Sequence, residues 1–404
     1  MKLHPNIIAS VIDSLKKIFV EGKHADDVVR NVLQSNPKWG SRDRRFIASS
    51  IYSIVRWWKK YLFIANVTEQ DTTCFEHVLS IYLLETYGED LKTPLPTPID
   101  DVQYKVRVAE AAVIRTVENA IPDWMDTLAV TELGEDVWEK EITFLNKEAD
   151  VFIRANTLKI SSNKLIEVLE KEDVAVKPFG DFSETLKLDA RKPLQRLVSF
   201  LNGMYEVQDV GSQEIAHYLN PRPNAKVIDA CAGAGGKTLH IAALMKNKGQ
   251  IISMDIEGFK LKELERRAVR AGIDIIKTKS IVSNTIASLK NSADYVLLDV
   301  PCSGIGVLRR NPDDKWKLSK NRVEALIKIQ QEILQEYSMM VKSGGVLVYA
   351  TCSILPSEND KQIDAFLALN GQFELEKKQT IYPSQGGDGY FMARMTKKLS
   401  RNAY

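Results

Sequence analysis

The stretch that most constrains the fold is Ala225–Thr238, AKVIDACAGAGGKT. It holds a short apolar strand ending at Asp229 and a glycine-rich turn, and LHIAALM, which follows it directly, has helical spacing. Strand, glycine turn and helix in that order bring backbone amides up to a nucleotide-like ligand in a doubly wound α/β sheet. Strand candidates recur at 226–229, 250–255, 294–300 and 345–351, with helical stretches between them, and Gly389–Thr396 closes the series. That alternation predicts an α/β fold: a largely parallel, Rossmann-like sheet with helices on both faces. DVPCSG at Asp299–Gly304 and YATCS at Tyr349–Ser353 each follow one of these strands. Ligands in such sheets bind beyond the carboxyl ends of the strands, so all three stretches are expected at one crevice.

Three domains are expected. Residues 1–130 read as helical, with Ile7, Ile8, Val11, Ile12 and Leu15 at helical spacing. Residues 131–212 read as connecting helices and a small α+β module, with strand-like pieces at 151–160, 174–179 and 185–188. Residues 213–404 form the sheet domain. Within the first, Lys38–Lys60 carries Arg44, Arg45 and five other basic residues, with Trp39, Trp57 and Trp58 among them. Basic residues between aromatics suit an RNA backbone and stacked bases. The same pattern also fits a helix that buries Ile and Trp and leaves a solvated basic face.

Composition narrows the setting. No apolar run approaches the roughly 20 residues of a membrane helix, and MKLHPNIIAS lacks the apolar core of a secretory signal. A cytoplasmic protein without a membrane partner is expected. Its net charge of +2 says nothing about a polyanionic partner. The four cysteines, Cys74, Cys231, Cys302 and Cys352, have no paired CxxC spacing, so no metal is expected. Three of the four lie inside the motif stretches.

GGKT invites a phosphate-binding reading, but that motif needs a glycine where Cys231 stands. A cofactor with an adenosine ribose and no phosphates fits better. The next strand ends at Asp255, near the spacing of about 20 residues at which dinucleotide folds place a ribose-binding acid. Asp229 is placed to hold a positively charged amino group. These features favour S-adenosylmethionine over NAD, because GAGG does not complete GxGxxG; a dehydrogenase stays open at this point.

The two cysteine stretches suit methylation of carbon 5 of a pyrimidine, which is not nucleophilic by itself. A thiolate adding to carbon 6 makes carbon 5 enamine-like, which divides one hard step into easier ones. A carboxyl group at N3, for which Asp299 is the candidate, stabilises the adduct, and a second group helps remove the carbon 5 proton.

DACAGAGGKT, DVPCSGIGVLRRNPDDKW, YATCS and DGYFMARMTK resemble the signature blocks of the NOL1/NOP2/Sun family of RNA cytosine-5 methyltransferases. FIRANTLK and GMYEVQDVGSQ are similar to that family too. SRDRRFIASSIYSIVRW resembles the NusB-like helical domain of its bacterial RsmB branch, which methylates 16S ribosomal RNA. The resemblance implies Cys352 as nucleophile and Cys302 as the residue assisting release. It implies that Cys231, Ala232, Gly233, Ala234, Gly235, Gly236 and Lys237 line the cofactor, with Asp229, Asp255 and Asp299, and that Asp299 also meets the base. Arg44, Arg45, Arg154, Arg309 and Arg310 are the expected RNA contacts. In one respect the chain departs from the pattern: Thr278–Asn291 holds no acid for the adenine, leaving Ser280, Ser283 or Asn284 as neutral acceptors. The expected protein is a monomeric methyltransferase acting on ribosomal RNA. The alternatives are a transfer RNA enzyme of the same chemistry and a non-catalytic RNA-binding assembly factor.

Overall fold

The computed structural model describes residues 3–399, which separate into two units. One comprises Met1–Lys147 and Leu308–Lys320, the other Glu148–Val307 and Asn321–Tyr404.

The first unit is helical. Pro5–Phe19 turns Ile7, Val11, Ile12, Leu15 and Ile18 to one side, as its spacing predicts. These residues meet Ile47, Ile51, Ile54 and Trp58 of the long Ser41–Ala65 helix, and Val78 and Leu79 of Cys74–Tyr87, in one core. Trp39 and Trp58 are buried in it, so two of the three tryptophans expected among the basic residues serve packing. The expected boundary at 130 falls within the Asp123–Leu133 helix, and Glu135–Leu145 clusters with this unit.

The Ser41–Ala65 helix is kinked at Trp57 (φ −107°, ψ 18°). Donors from Leu308–Lys320 meet the carbonyls beside the kink: Trp316 Nε1 bonds Val55 O at 2.7 Å and Lys315 Nζ bonds Arg56 O at 2.7 Å. Lys315 is buried and also donates to Ala120 O and Asn146 Oδ1, both at 2.9 Å. A segment from the second half of the sequence thus completes the amino-terminal core.

The second unit holds two sheets. The smaller, in the order β2–β3–β1–β4, is antiparallel: β1 Phe152–Ala155, β2 Val176–Pro178, β3 Thr185–Leu188 and β4 Tyr205–Val207. The strand expected over 151–160 stops at Ala155, because Asn156 turns the chain by accepting the Leu158 N–H on its side chain. The larger comprises β5 Lys226–Asp229, β6 Gln250–Asp255, β7 Ile276–Ser280, β8 Ala293–Asp299, β9 Val341–Thr351, β10 Phe373–Ile381 and β11 Tyr390–Lys397. Its order is β10–β11–β9–β8–β5–β6–β7; β5 to β9 run parallel, and β10 and β11 are antiparallel at one side. Alternate residues of β8 feed two cores. Tyr295 and Leu297 meet the helices Val210–Leu219 and Gly236–Leu244, and Val296 and Leu298 meet Leu334 and Ile363 of the opposite layer. Helices on both faces were expected from the sequence.

Candidate active site

β5, β8 and β9 are adjacent and parallel, so their carboxyl ends deliver the glycine turn, Asp299–Gly304 and Thr351–Ser353 to one edge of the sheet. The glycine turn begins at Asp229. Gly233 (φ +53°) and Gly235 (φ +89°) take left-handed backbone conformations. A Cβ at Gly235 would lie 2.5 Å from Leu264 Cγ, whereas one at Gly233 would meet nothing within 4 Å. The turn therefore packs on one side and borders open space on the other.

Asp255, at the end of β6, holds the turn by accepting Gly233 N–H on Oδ2 and Glu257 N–H on Oδ1, both at 2.9 Å. A carboxylate has about four acceptor positions, so two N–H bonds leave room for a ribose diol. Ser280 is in register with Asp255 on β7 and is exposed at the same edge. Asp229 is buried; Thr238 Oγ1 donates to its Oδ2 at 2.6 Å, and its Oδ1 has no partner among the described residues. Burial, opposed by the Thr238 bond, lifts this carboxyl to about 6. An unmet buried carboxylate oxygen beside an open glycine turn fits a ligand that brings a cationic amino group. Burial also pushes the Cys231 thiol well up.

Lys237 was expected among the cofactor contacts; its Nζ donates to Asp299 Oδ2 at 2.6 Å and lies 5.7 Å from the centroid of the Tyr390 ring. Burial works to lower the Lys237 pKa, but the charge and hydrogen bond of Asp299 leave it raised, so the ammonium persists. Cys302 Sγ lies 3.1 Å from Cys352 Sγ and accepts the Cys352 N–H at 3.2 Å. Hydrogen bonding with Cys352, then burial, holds the Cys302 thiol well above its usual range. The two thiols and the Lys237–Asp299 pair thus gather at the strand ends named in the sequence.

The expected RNA contacts fare differently. Arg154 is buried, donating to Gln208 Oε1 and to Gly236 O, the latter at 3.1 Å, so it braces the glycine turn from below. Arg309 is 4% exposed within the helical unit. Arg44 donates to the carbonyls of Leu33, Asn36 and Trp39 and ties down the preceding loop. Arg45 is exposed and Arg310 half-buried.

Sequence reasoning missed Glu358, Gln330 and Ser303, buried polar residues around the cysteine loops. It also missed a cluster in which Glu184 Oε1 accepts from His217 Nε2 at 2.6 Å and His240 Nε2 at 3.2 Å. These three side chains bring ligand-type atoms within 4.8 Å of one another, and the carboxylate is already met by two imidazole nitrogens.

Residues 216–396 match a family profile described as 16S rRNA methyltransferase RsmB/F, and residues 121–195 match the ferredoxin-like domain of RsmF/B-like methyltransferases. A probable ribosomal RNA small subunit methyltransferase B of Synechocystis sp. is 35% identical over 251 residues, covering 61% of this chain and 56% of that protein. A protein of the same name from Bacillus subtilis is 33% identical over 305 residues, covering 70% and 67%. The chain thus spans between little more than half and two thirds of the length of these relatives. Among solved structures, PH0851 superposes with a TM-score of 0.80 at 24% identity over 98% of this chain and all of that one. A methyltransferase homologue from Pyrococcus horikoshii superposes with a TM-score of 0.62 at 26% identity, over 70% and 97%.

Proposed function

We infer the function from one premise: the chain belongs to the RsmB/F family of S-adenosylmethionine-dependent methyltransferases. It methylates carbon 5 of a cytidine in small-subunit ribosomal RNA through a covalent bond between Cys352 and carbon 6. The observation that carries this reading is the pair of thiols 3.1 Å apart beside the Lys237–Asp299 pair. One thiol beside a glycine turn would serve many reactions; two thiols and an acid suit addition followed by elimination.

S-adenosylmethionine, when bound, supplies an electrophilic methyl group. The chain's own residues do the rest. Asp229, with its unmet Oδ1, takes the amino group of the cofactor, and Asp255 takes the ribose. Asp299 meets the N3 edge of the unstacked base, and the Lys237 ammonium at 2.6 Å is the proton source there. Cys352 gives its thiol proton to water and adds to carbon 6 as the thiolate while N3 takes a proton from Lys237, and carbon 5 takes the methyl group. Once Cys352 is bonded to the base, it no longer pairs with Cys302 as a thiol. That removes one cause of the raised Cys302 pKa while burial still acts; Cys302 gives its thiol proton to water and then takes the carbon 5 proton as the base. Elimination of Cys352 as the thiolate, with the N3 proton returned to Lys237, restores the aromatic base.

The test is transfer of labelled methyl to small-subunit ribosomal RNA made without modifications, followed by nucleoside mass analysis. Label in 5-methylcytidine is expected. Label in another nucleoside overturns the chemistry, and label only when transfer RNA is supplied overturns the substrate.

A further inference from the structure

We propose that Glu358 is a positioning residue for Cys302: it clamps the loop after β8 to the loop after β9 and thereby sets the distance between the two thiols. The proposal rests on the two-cysteine reading above. Glu358 is fully buried. Its Oε1 accepts the Ser303 N–H at 2.7 Å, and its Oε2 accepts Ser303 Oγ at 2.5 Å. Ser303 directly follows Cys302. On the other side of Cys302, Gln330 Nε2 donates both to the Pro301 carbonyl at 2.9 Å and to Glu358 Oε1 at 3.0 Å. The residues flanking Cys302 are therefore fixed to one carboxylate, directly and through Gln330.

Glu358 belongs to the loop that carries Cys352. Its carbonyl accepts the Tyr349 hydroxyl at 2.7 Å. The next residue, Asn359, accepts from Thr351 Oγ1 at 2.6 Å and donates to Ser353 O at 2.9 Å, so it grips both neighbours of Cys352. The regular pairing of β8 with β9 ends at Asp299 and Ala350, before either cysteine. Beyond it, Gly306 N–H reaches Cys352 O at 3.0 Å, and the Glu358 network supplies further cross-links. The same two loops also meet where Cys302 Sγ accepts the Cys352 N–H at 3.2 Å and where Ser303 Oγ reaches Ser353 Oγ at 3.3 Å; the bonds of Ser303 to Glu358 are shorter than either. The donors from Ser303 and Gln330 are neutral, and a carboxylate is costly to bury. Its charge-assisted bonds hold two irregular loops at one spacing.

The test uses the full chain with Glu358→Ala, Glu358→Gln and Ser303→Ala. The first readout needs neither RNA nor cofactor. Phenylarsine oxide condenses with two neighbouring thiols, forming two As–S bonds and releasing one water, and Cys352→Ala sets the background. Glu358→Ala and Ser303→Ala are expected to bind it about tenfold more weakly than wild type, the equivalent of one lost hydrogen bond to a charged group. Glu358→Gln, which keeps an acceptor for Ser303, falls between. The second readout is turnover on unmodified ribosomal RNA. Glu358→Ala is expected to lower kcat, leave KM for RNA within about threefold, and accumulate a covalent RNA adduct as Cys302→Ala does. A merely structural role would reduce the folded fraction and kcat together, without adduct. Unchanged arsenical affinity in the folded Glu358→Gln and Ser303→Ala proteins overturns the proposal. Weakened arsenical binding with no adduct from any variant, Cys302→Ala included, supports the clamp and instead overturns the two-cysteine reading.

Discussion

Cys302 Sγ and Cys352 Sγ lie 3.1 Å apart, each just beyond the carboxyl end of a strand, and those strands, β8 and β9, are parallel neighbours. Fifty residues separate the two cysteines in sequence, and a helical layer and an excursion into the other unit intervene. The pairing of the strands makes the thiols meet.

That meeting depends on Gly306. A Cβ there would lie 2.2 Å from Gly389 O and 2.9 Å from Cys352 O, both backbone atoms that cannot swing aside. Gly306→Ala is expected to destabilise the unit by about 1–3 kcal/mol through overpacking and to displace the Cys352 loop. Thermal unfolding and the arsenical affinity check both effects; a fully active, equally stable variant would show that the loops have slack.

Lys237 and Asp299 act together at the base edge. Lys237→Met is expected to lower kcat by about 100-fold or more, the scale of a lost general acid, with cofactor affinity largely kept because Lys237 points to Asp299. Equilibrium binding of the cofactor and single-turnover transfer separate the two. A selective loss of cofactor binding would return Lys237 to the glycine turn.

Asp229 makes a pH prediction with a definite sign. Its folded pKa of about 6 exceeds the ordinary 3.8. Between those values the folded state binds more protons than the unfolded one, so this group's contribution to stability rises as pH falls from 6 towards 4. The difference between wild type and Asp229→Asn should change by up to about 3 kcal/mol across that window. Unfolding of the two proteins without cofactor, compared at pH 4.5 and 7, measures it; a constant difference contradicts the raised pKa.

Lys315 holds the helical unit from within. Removing its Nζ leaves Arg56 O, Ala120 O and Asn146 Oδ1 without that donor. Lys315→Ala is expected to cost about 1–3 kcal/mol. Protease sensitivity should appear first in residues 1–147, and residues 1–147 expressed alone should be less stable than the same unit in the full chain. Equal stability of the fragment would mean that the Leu308–Lys320 segment contributes little.

Much of the sheet was legible because β5, β6, β8 and β9 are buried on both faces and read as apolar runs. The two strands that escaped, β7 and β10, are its two edges. IKTKS and FELEKKQTI carry mostly polar side chains, as edge strands do, and lack the apolar signal. The glycine turn and both cysteine loops were readable from local order alone. The burial of Arg154 and Arg309 was not, since an arginine's burial depends on partners far away in sequence. Glu358 was hidden for the same reason: before a helix, in SEND, an acid reads as an ordinary surface residue.

The most direct test of the account compares wild type, Cys352→Ala and Cys302→Ala on unmodified ribosomal RNA with labelled S-adenosylmethionine, followed by denaturing electrophoresis. The account predicts that Cys302→Ala traps a covalent protein–RNA adduct and that Cys352→Ala forms none and transfers no methyl. Methyl transfer by Cys352→Ala, with Cys302→Ala inactive and free of adduct, would contradict it and make Cys302 the nucleophile.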